Sequence, residues 1–309
     1  MSRSSLLESE LTYVVTLISD PKIAPITRAV IDAVRNALAE FGSRTGDPDW
    51  LSEGQACDLP LFDIVSDDFM PAIHLALDGA PIDTILQSSV HRRKKLLVAD
   101  MDSTIIQQEC IDEIAEFVGR RVEVSAITER AMEGEINFTE AIRARAAMFS
   151  GLDADTLDRA YHERITLTPG AETLVRVMRE NGAVTALVSG GFTQFTSRVA
   201  KRTGFHHHHG NELEVTSGRL TGKVIEPIKG GKAKVEFLND YCRKLDITCK
   251  LALAVGDGAN DIPMIEAAGL GVSFHGKPRV AAAADAQIIY NDLTSLLFVQ
   301  GYHETEIYG

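Results

Sequence analysis

The chain has 309 residues, 45% of them hydrophobic and 24% charged, and it carries a formal net charge of −13. A composition this close to the globular average argues against a disordered chain or a collagen-like fibre. The negative charge argues against a broad nucleic-acid binder, which needs a positive surface. The length suggests about two domains, and −9 of the net charge falls in residues 1–90, the first third of the chain.

The sequence offers no feature of an exported or membrane-bound protein. No apolar run approaches the roughly 20 residues that span a bilayer, and the first ten residues (MSRSSLLESE) lack the apolar stretch of a secretory signal. The cysteines Cys57, Cys110, Cys242 and Cys249 are scattered singly with no CxxC pair, which favours buried thiols over a disulfide framework. We therefore expect a cytoplasmic protein with no membrane or nucleic-acid partner.

Residues 1–90 are predicted to form a small α+β unit. Residues 11–18 (LTYVVTLI) have the apolar character of a strand, and a helix with apolar residues near the 3.6-residue period follows and ends at Gly42. A short helix is predicted over 81–88. The basic run 91–95 (HRRKK) is predicted to be a solvated linker that leads into a second domain.

The pattern changes after that run. Apolar segments without alternation recur, as expected for strands buried on both faces of a parallel sheet; they are 96–99, 184–188, 251–255, 270–274 and 288–290. Helical segments lie between them, and one is predicted to have Thr168 as its N-cap and Pro169 as its first residue. Repeated strand and helix predict an α/β fold with a parallel sheet, where ligands bind beyond the carboxyl ends of the strands.

Two longer segments interrupt this alternation. Residues 106–167 are polar and helical without a buried-strand signature, which predicts a helical insertion that covers the site. Residues 212–226 (ELEVTSGRLTGKVIE) predict a hairpin that turns at Ser217 and Gly218.

Carboxylates follow two of the predicted core strands. Asp100 and Asp102 come directly after the first strand, and Asp257 lies in the loop 256–261 (GDGAND) after the strand 251–255. Neither segment fits a calcium EF-hand or a Walker A loop. Taken together at one sheet edge, the three aspartates predict a site of hard oxygen ligands, which suits Mg²⁺.

Two further segments have the character of phosphate-binding loops. Ser189 and Gly190 follow the strand 184–188, where a hydroxyl and exposed backbone N–H groups can hold phosphate oxygens. Lys232 follows two glycines ahead of a predicted helix, a position at which a cation can contact phosphate.

The ordered set of these segments resembles the haloacid dehalogenase superfamily. DMDST (100–104), SGG (189–191), GGK (230–232) and GDGAND (256–261) are similar to its four motifs, in the same order. The resemblance is closest to the members that hydrolyse O-phospho-L-serine. It implies a Rossmann-like parallel-sheet core with a helical cap inserted after the first core strand, and a small N-terminal α+β domain. The expected domains are 1–90 and 91–309, with the cap at about 106–167.

The resemblance also implies a mechanism. Asp100 would attack phosphorus and form an aspartyl-phosphate, while the side chain of Asp102 would act as general acid and then general base. Mg²⁺ would be held by Asp100, the backbone carbonyl of Asp102, and Asp257, with Asp261 orienting the metal shell. The residues that would hold the transferring phosphoryl group are Ser189, Gly190 and Lys232.

Substrate selection is expected in the insertion. Glu109 would pair with the ammonium of phosphoserine, and Arg145 would offer a planar fork to its carboxylate. Asn260 joins the substrate-binding set, and Met132 and Phe138 would close the cap over the site. The expected partner is this small molecule, and a homodimer is left open.

Two alternatives stay open. One is a phosphatase or phosphotransferase of the same superfamily that acts on another small phosphorylated amino acid. The other is a regulatory protein that senses amino acids, because the N-terminal pattern is loosely similar to ACT-like regulatory units; serine feedback through this unit is a hypothesis. The run 206–209 (HHHH) is not expected to bind a metal, since consecutive side chains cannot all point at one ion.

Overall fold

The computed structural model describes residues 13–62, 66, 68–132 and 135–309, without the side chain of Met132. Its first part is an antiparallel sheet with two helices. The elements in chain order are β1 (Tyr13–Ser19), α1 (Arg28–Ala39), β2 (Asp49–Ser52), β3 (Ala56–Leu61), α2 (Phe69–Ala76) and β4 (Ile82–Ser88). The described strands pair in the order β2-β3-β1-β4, which gives this part a ferredoxin-like βαββαβ arrangement.

The helix α1 forms where the sequence predicts it. Thr27 caps its first turn by accepting a hydrogen bond from the Val30 N–H, and Gly42, at φ +76°, lets the chain turn away after its end. Its inward side chains share one apolar core with alternate residues of β1. This core explains why the unit folds as a sheet covered by helices.

The segment 81–88 is a strand, so the helix predicted there is wrong. β4 pairs antiparallel with β1 along its whole length, from Ile82 opposite Ser19 to Ser88 opposite Tyr13. Short apolar segments do not distinguish a helix from a strand. Here the free edge of β1 and the β-branched residues of the segment favour the strand.

The second part contains the remaining elements. They are β5 (Leu96–Ala99), α3 (Cys110–Phe117), α4 (Arg121–Met132), α5 (Phe138–Ala147), α6 (Asp155–Arg164), α7 (Ala171–Glu180), β6 (Val184–Phe192), α8 (Thr193–Thr203), β7 (His207–Thr216), β8 (Arg219–Ile225), α9 (Gly231–Lys244), β9 (Ala252–Gly256), α10 (Ile262–Ala267), β10 (Leu270–Phe274), α11 (Pro278–Ala281), β11 (Ala286–Ile288), α12 (Ser295–Val299) and α13 (Glu304–Tyr308).

The larger sheet brings three strand ends together. Its described strands lie in the order β11-β10-β9-β5-β6-β7-β8, and all neighbours are parallel except β8, which runs antiparallel to β7. β5 therefore lies between β6 and β9, and the carboxyl ends of these three strands meet at one edge. Helices α3 to α6 are inserted between β5 and β6, where residues Ile106 and Leu167 pair in an isolated bridge. The predicted fold class is confirmed. No helix in the described ranges is long and apolar enough to cross a membrane.

The start of α7 differs from the prediction. The helix begins at Ala171, and Gly170 rather than Thr168 is its N-cap, with φ +82°. A Cβ at residue 170 would lie 2.5 Å from the backbone nitrogen of Thr294. The close approach of this loop therefore requires glycine and shifts the helix start past Pro169.

The predicted hairpin is present, with Ser217 and Gly218 at its turn, but β7 begins earlier, at His207. Its first residues, 207–209, pair parallel with β6, so these three histidines form part of a core strand and their side chains alternate between its two faces. His208 contacts Thr196 Oγ1 at 3.0 Å, whereas His209 Nε2 contacts the Tyr241 hydroxyl at 2.8 Å. Burial lowers the pKa of His209 to about 4, so this imidazole is neutral at pH 7.

The basic run 91–95 is only in part the solvated linker that the sequence predicted: His91, Arg93 and Lys95 are exposed, but Arg92 and Lys94 are not. Arg92 donates to Asp58, to Thr16 Oγ1 at 2.8 Å and to the carbonyl of Val299 at 2.8 Å. Lys94 is buried, and its Nζ donates to two backbone carbonyls of the second part, at 2.9 and 3.1 Å. Arg92 therefore links the first sheet to α12 of the second part, whereas Lys94 binds within the second part; the oxygens around each cation compensate its burial.

Asp83 of β4 fixes the same interface. Its buried carboxylate accepts hydrogen bonds from the Ile289 N–H at 2.8 Å, the Asn291 N–H at 3.2 Å and the Asn291 side chain at 2.8 Å. Replacing Asp83 with alanine leaves these donors unpaired, and we expect a loss of about 1–3 kcal/mol in the free energy of unfolding. Urea unfolding measures this loss. The exposed Asp32→Ala variant is the control, and an equal midpoint for the two variants contradicts the prediction.

Candidate active site

The nucleophile predicted from the sequence lies at the carboxyl end of β5. Asp100 is buried, and its N–H donates to the Val255 carbonyl of the neighbouring strand β9 at 3.0 Å. Its Oδ1 accepts a hydrogen bond from the Met101 N–H at 2.8 Å and lies 2.5 Å from Lys234 Nζ. The carboxylate is therefore held in one orientation by a strand end, a backbone donor and a cation.

Three carboxylates converge at this edge. Asp100, Asp257 and Asp261 each offer an oxygen that lies within 4.8 Å of the others. Asp257 Oδ1 accepts from the Thr104 hydroxyl at 3.3 Å, and Asp261, which is fully buried, accepts from the Gly258 N–H at 3.1 Å. Asp261 therefore belongs to the cluster itself, although the sequence predicted only an orienting role for this residue.

The first glycine of the loop 256–261 is what allows Asp261 to enter the cluster. A Cβ at Gly256 would lie 2.5 Å from the carboxyl carbon of Asp261, and one at Gly258 would lie 2.4 Å from Asn260 Oδ1. The loop therefore folds tightly back on the end of β9, and these positions have no room for a side chain.

The charges of this cluster fit a divalent cation. Burial, followed by repulsion from Asp261, raises the pKa of Asp100 well above its usual range, and burial raises the pKa of Asp257 to about 6. Three carboxylates with one ammonium group leave excess negative charge out of water, which is costly unless a cation compensates it. Because every donor is an oxygen, the cluster suits a hard cation of the Mg²⁺ type.

Lys234, and not the predicted Lys232, is the cation that lies beside Asp100. Lys234 Nζ lies 2.5 Å from Asp100 Oδ1 and 2.6 Å from Asp261 Oδ1, and its side chain is buried. Burial alone would lower the pKa of Lys234, but the two carboxylates outweigh it and raise the pKa, so this lysine stays protonated. The side chain of Lys232 is exposed on the other side of α9. The structure does not bring Lys232 into the site.

Asp102 and Ser189 form a second, linked group. Asp102 Oδ1 accepts from the Cys110 N–H at 2.9 Å, and its Oδ2 accepts from the Ser189 hydroxyl at 2.9 Å. The Ser189 Oγ in turn accepts from the Gly191 N–H at 2.8 Å. The Asp102 side chain thus points toward the cap and the end of β6, away from the three-carboxylate cluster.

Asn211 supports this loop and was not singled out from the sequence. It is fully buried on β7, and its Nδ2 donates to the carbonyl of Gly190 at 2.8 Å and of Lys229 at 2.9 Å. Its Oδ1 accepts from the Lys229 N–H at 2.6 Å. One amide therefore joins the Ser189 loop to the segment before α9. A lone asparagine in a strand gave no sequence signal for this role.

The cap places Glu109 and Arg145 near Asp102. Ser103 Oγ donates to Glu109 Oε1 at 2.8 Å. Glu109 is exposed, yet desolvation by the surrounding protein, followed by the charge of Asp102, raises its pKa to about 7. Burial lowers the pKa of Arg145, opposed by the charges of Asp112, Glu109 and Asp102. The Arg145 Nε donates to the Ala141 carbonyl at 3.4 Å. Among the described residues no carboxylate oxygen lies within 4.0 Å of the guanidinium, so its two terminal nitrogens can receive a ligand.

Phe138, at the start of α5, lies over Gly190 and Gly230, in the segments that the sequence predicts to bind phosphate. A Cβ at Gly190 would come within 3.1 Å of its ring, and one at Gly230 within 3.0 Å. Both glycines therefore let the cap side chain approach the core closely. Met132, the second predicted cap residue, lies with its side chain outside the described part. Asn260 is exposed, and its carbonyl would lie 2.7 Å from a Cβ at Gly231, so it packs against the start of α9.

Comparisons with known proteins point to one family. The model of the haloacid dehalogenase-like hydrolase family matches residues 97–266, more than half of the chain. A phosphoserine phosphatase of Archaeoglobus fulgidus is 44% identical over 220 residues, which are 71% of this chain and 64% of that relative. One from Polaromonas is 44% identical over 208 residues, 66% of this chain and 88% of that relative. The crystal structure of a haloacid dehalogenase family hydrolase from Salmonella enterica covers 93% of this chain and 98% of its own, with a TM-score of 0.81 and 29% identity.

Proposed function

Because the chain belongs to the family of haloacid dehalogenase-like hydrolases, we propose that it hydrolyses O-phospho-L-serine to L-serine and phosphate with Mg²⁺ as cofactor. The observation that carries this proposal is the juxtaposition of a buried nucleophile, a general acid and two cap residues of opposite charge. Two relatives that bear the name phosphoserine phosphatase support it. The reaction would supply the last step of serine biosynthesis.

Asp100 is the nucleophile in this proposal. Because the Met101 N–H and Lys234 both contact Oδ1, Oδ2 is the oxygen that we expect to attack phosphorus. A bond forms between this oxygen and phosphorus while the bond from phosphorus to the serine oxygen breaks, which leaves an aspartyl-phosphate. Water then attacks this intermediate and regenerates the carboxylate.

Asp102 would move the protons of both steps. Its carboxyl gives a proton to the leaving serine oxygen and later takes one from the attacking water. The hydrogen bonds from Cys110 and Ser189 hold it in the orientation that both transfers need. Its direction away from the carboxylate cluster keeps this role separate from cation binding.

The cation would be held by Asp100, Asp257 and Asp261, with the Asp102 backbone carbonyl as a further oxygen. Bound there, Mg²⁺ would offset the negative charge of carboxylates and phosphate and so let them approach each other. Lys234 fixes Asp100 and adds positive charge beside the transferring group, and the Ser189 hydroxyl and the Gly190 N–H are further donors for its oxygens.

The cap residues would recognise the amino-acid part of the substrate. Glu109 pairs with the ammonium group, and Arg145 forms a bidentate contact with the carboxylate. Phe138 covers the phosphate-binding segments and excludes water. Another phosphorylated amino acid, such as phosphothreonine, offers the same two charges, so a side-by-side substrate panel distinguishes these candidates.

The pH profile tests the role of Glu109. Its carboxylate must be ionised to pair with an ammonium, and its pKa is raised to about 7. We therefore expect kcat/KM for O-phospho-L-serine to rise about tenfold between pH 6 and pH 8, since this ratio reports ionisations of the free enzyme. In the Glu109→Gln variant, KM should increase at least tenfold, because a charged hydrogen bond contributes about 1.5–3 kcal/mol.

The substrate phosphate also ionises in this range, with a second pKa of about 6, and its ionisation changes kcat/KM in every variant. In Glu109→Gln this contribution of the substrate remains, and only the rise in kcat/KM that comes from ionisation of Glu109 should be lost. Glu123→Gln, on the exposed face of α4, serves as the matched control. If Glu109→Gln keeps the profile and the KM of the parent protein, Glu109 does not bind the ammonium.

A further inference from the structure

Two of the four cysteines lie side by side at the end of the core sheet opposite the carboxylate cluster. Cys242 is in the last turns of α9, and Cys249 opens a short 3₁₀ turn that leads into β9. Their Sγ atoms are 2.9 Å apart. The two cysteines are seven residues apart in the sequence and were predicted to be single thiols, but the helix end and the following turn bring them together.

We propose that Cys242 and Cys249 are an oxidisable dithiol, which closes to an intramolecular disulfide by exchange with a low-molecular-weight disulfide such as oxidised glutathione. A disulfide bond is about 2.05 Å long and requires the two Cβ vectors to converge. Sulfurs at 2.9 Å show that the two side chains point toward each other, and a shift of about 1 Å brings the sulfurs to bonding distance. The inference rests on this geometry and is independent of the proposed function.

The exposure of the two thiols sets the order of the exchange. Cys249 is partly exposed, whereas Cys242 is only 4% exposed. The Cys249 thiolate attacks one sulfur of oxidised glutathione and releases glutathione, leaving a mixed disulfide on the protein. Cys242 then loses its proton and attacks Cys249 Sγ, which releases the second glutathione. One oxidised glutathione is reduced to two thiols while the protein dithiol is oxidised to one disulfide.

The cross-link would fix two elements that carry site residues at their other ends. Lys234 lies on α9 eight residues before Cys242, roughly 12 Å along the helix axis, and Asp257 follows the far end of β9. The disulfide would join the end of α9 to the turn before β9 without touching the cluster. We therefore expect a higher thermal stability and an unchanged site.

Cys57 and Cys110 provide internal controls. Both are at most 1% exposed, and within the described ranges neither has a sulfur neighbour like that of Cys242. Oxidant should therefore leave them as free thiols. The count of alkylatable cysteines in denaturant distinguishes the two classes directly.

The experiment equilibrates the full-length protein with reduced and oxidised glutathione in varied ratio, followed by alkylation and mass spectrometry without reductant. Trypsin cleaves after Arg243 and Lys244, so a 242–249 disulfide joins the tryptic peptides 235–243 and 245–250. We expect this linked pair, two remaining alkylatable thiols, and a rise in Tm on the order of 5 °C. The Cys242→Ser variant should show neither the linked pair nor the rise.

Three results would overturn the proposal. They are four alkylatable thiols at every ratio, a stable glutathione adduct on Cys249 in the parent protein, or a disulfide between two molecules. Phosphate release is measured on the same samples only to show that the site is unaffected. Because the thiol count does not use activity, a failure of the proposed function leaves this test unchanged.

Discussion

Replacing Asp100 with asparagine is expected to lower kcat for O-phospho-L-serine by about 10⁴-fold or more, the scale of loss seen when a covalent nucleophile is removed. An amide oxygen at this position is a far weaker nucleophile than a carboxylate and does not form the aspartyl-phosphate. The substitution keeps the size of the side chain and the acceptor for the Met101 N–H, so the fold should be retained. Steady-state phosphate release at saturating substrate measures the effect.

The matched control for this variant is Asp246→Asn. Asp246 is exposed and has a left-handed backbone conformation, at φ +51°, which asparagine adopts readily. This control should keep the parent rate, and circular dichroism should show both variants folded. A folded Asp100→Asn variant with the parent kcat would remove Asp100 from the reaction and with it the covalent intermediate.

The second large effect distinguishes two neighbouring lysines. Lys234→Met should lower kcat by about 10²–10³-fold, the usual cost of losing one charge-stabilising group, whereas Lys232→Met should stay within about threefold of the parent. Lys234 lies between Asp100 and Asp261, while Lys232 is exposed. The two variants make the same chemical change two residues apart on one helix, so each controls for the other.

Stability provides an independent readout for the same pair. Lys234→Met leaves two buried carboxylates without their cation, a change that costs about 3–5 kcal/mol when the partner charge stays buried. We expect a lower Tm for Lys234→Met without added divalent cation and partial recovery with Mg²⁺, which replaces the lost positive charge. Lys232→Met should show neither effect. An equal loss of activity in both variants, or full activity in Lys234→Met, contradicts the assignment.

The choice between these lysines shows what the sequence did and did not predict. The glycines at 230 and 231 drew attention to the adjacent Lys232, but the helix that follows has a clear apolar face. Lys234 shares that buried face with Leu238, Tyr241 and Cys242, at the i, i+4, i+7 and i+8 spacing of a helix. The periodicity was therefore available in the sequence and would have selected Lys234.

Other differences depend on contacts that no local pattern contains. The helix α7 begins after Gly170 because Thr294, more than a hundred residues later, contacts that position. The strand β4 forms because β1 offers it a free edge. By contrast, the carboxylates at the ends of β5 and β9 were predictable, since parallel strands place their carboxyl ends at one edge of the sheet.

The sequence predicted a cluster of aspartates at this edge of the sheet, but it did not predict correctly which aspartates form it. The sequence predicted Asp100, Asp102 and Asp257 at one site. In the structure the Asp102 carboxylate binds the Cys110 N–H and the Ser189 hydroxyl instead, and the converging carboxylates are those of Asp100, Asp257 and Asp261. The reason is the tight turn after β9, where the lack of a Cβ at Gly256 lets the Asp261 carboxyl fold back against the strand. Such a return of the chain depends on backbone geometry rather than on spacing along the sequence.

The most direct test of the central claim is the release of phosphate from O-phospho-L-serine by the full-length protein, measured with Mg²⁺ and again after chelation with EDTA. The proposed function predicts rapid release with Mg²⁺, loss of that release with EDTA, and a rate for Asp100→Asn that equals the background. Release no faster than that of Asp100→Asn, under conditions where another phosphorylated amino acid is hydrolysed rapidly, would contradict the claim.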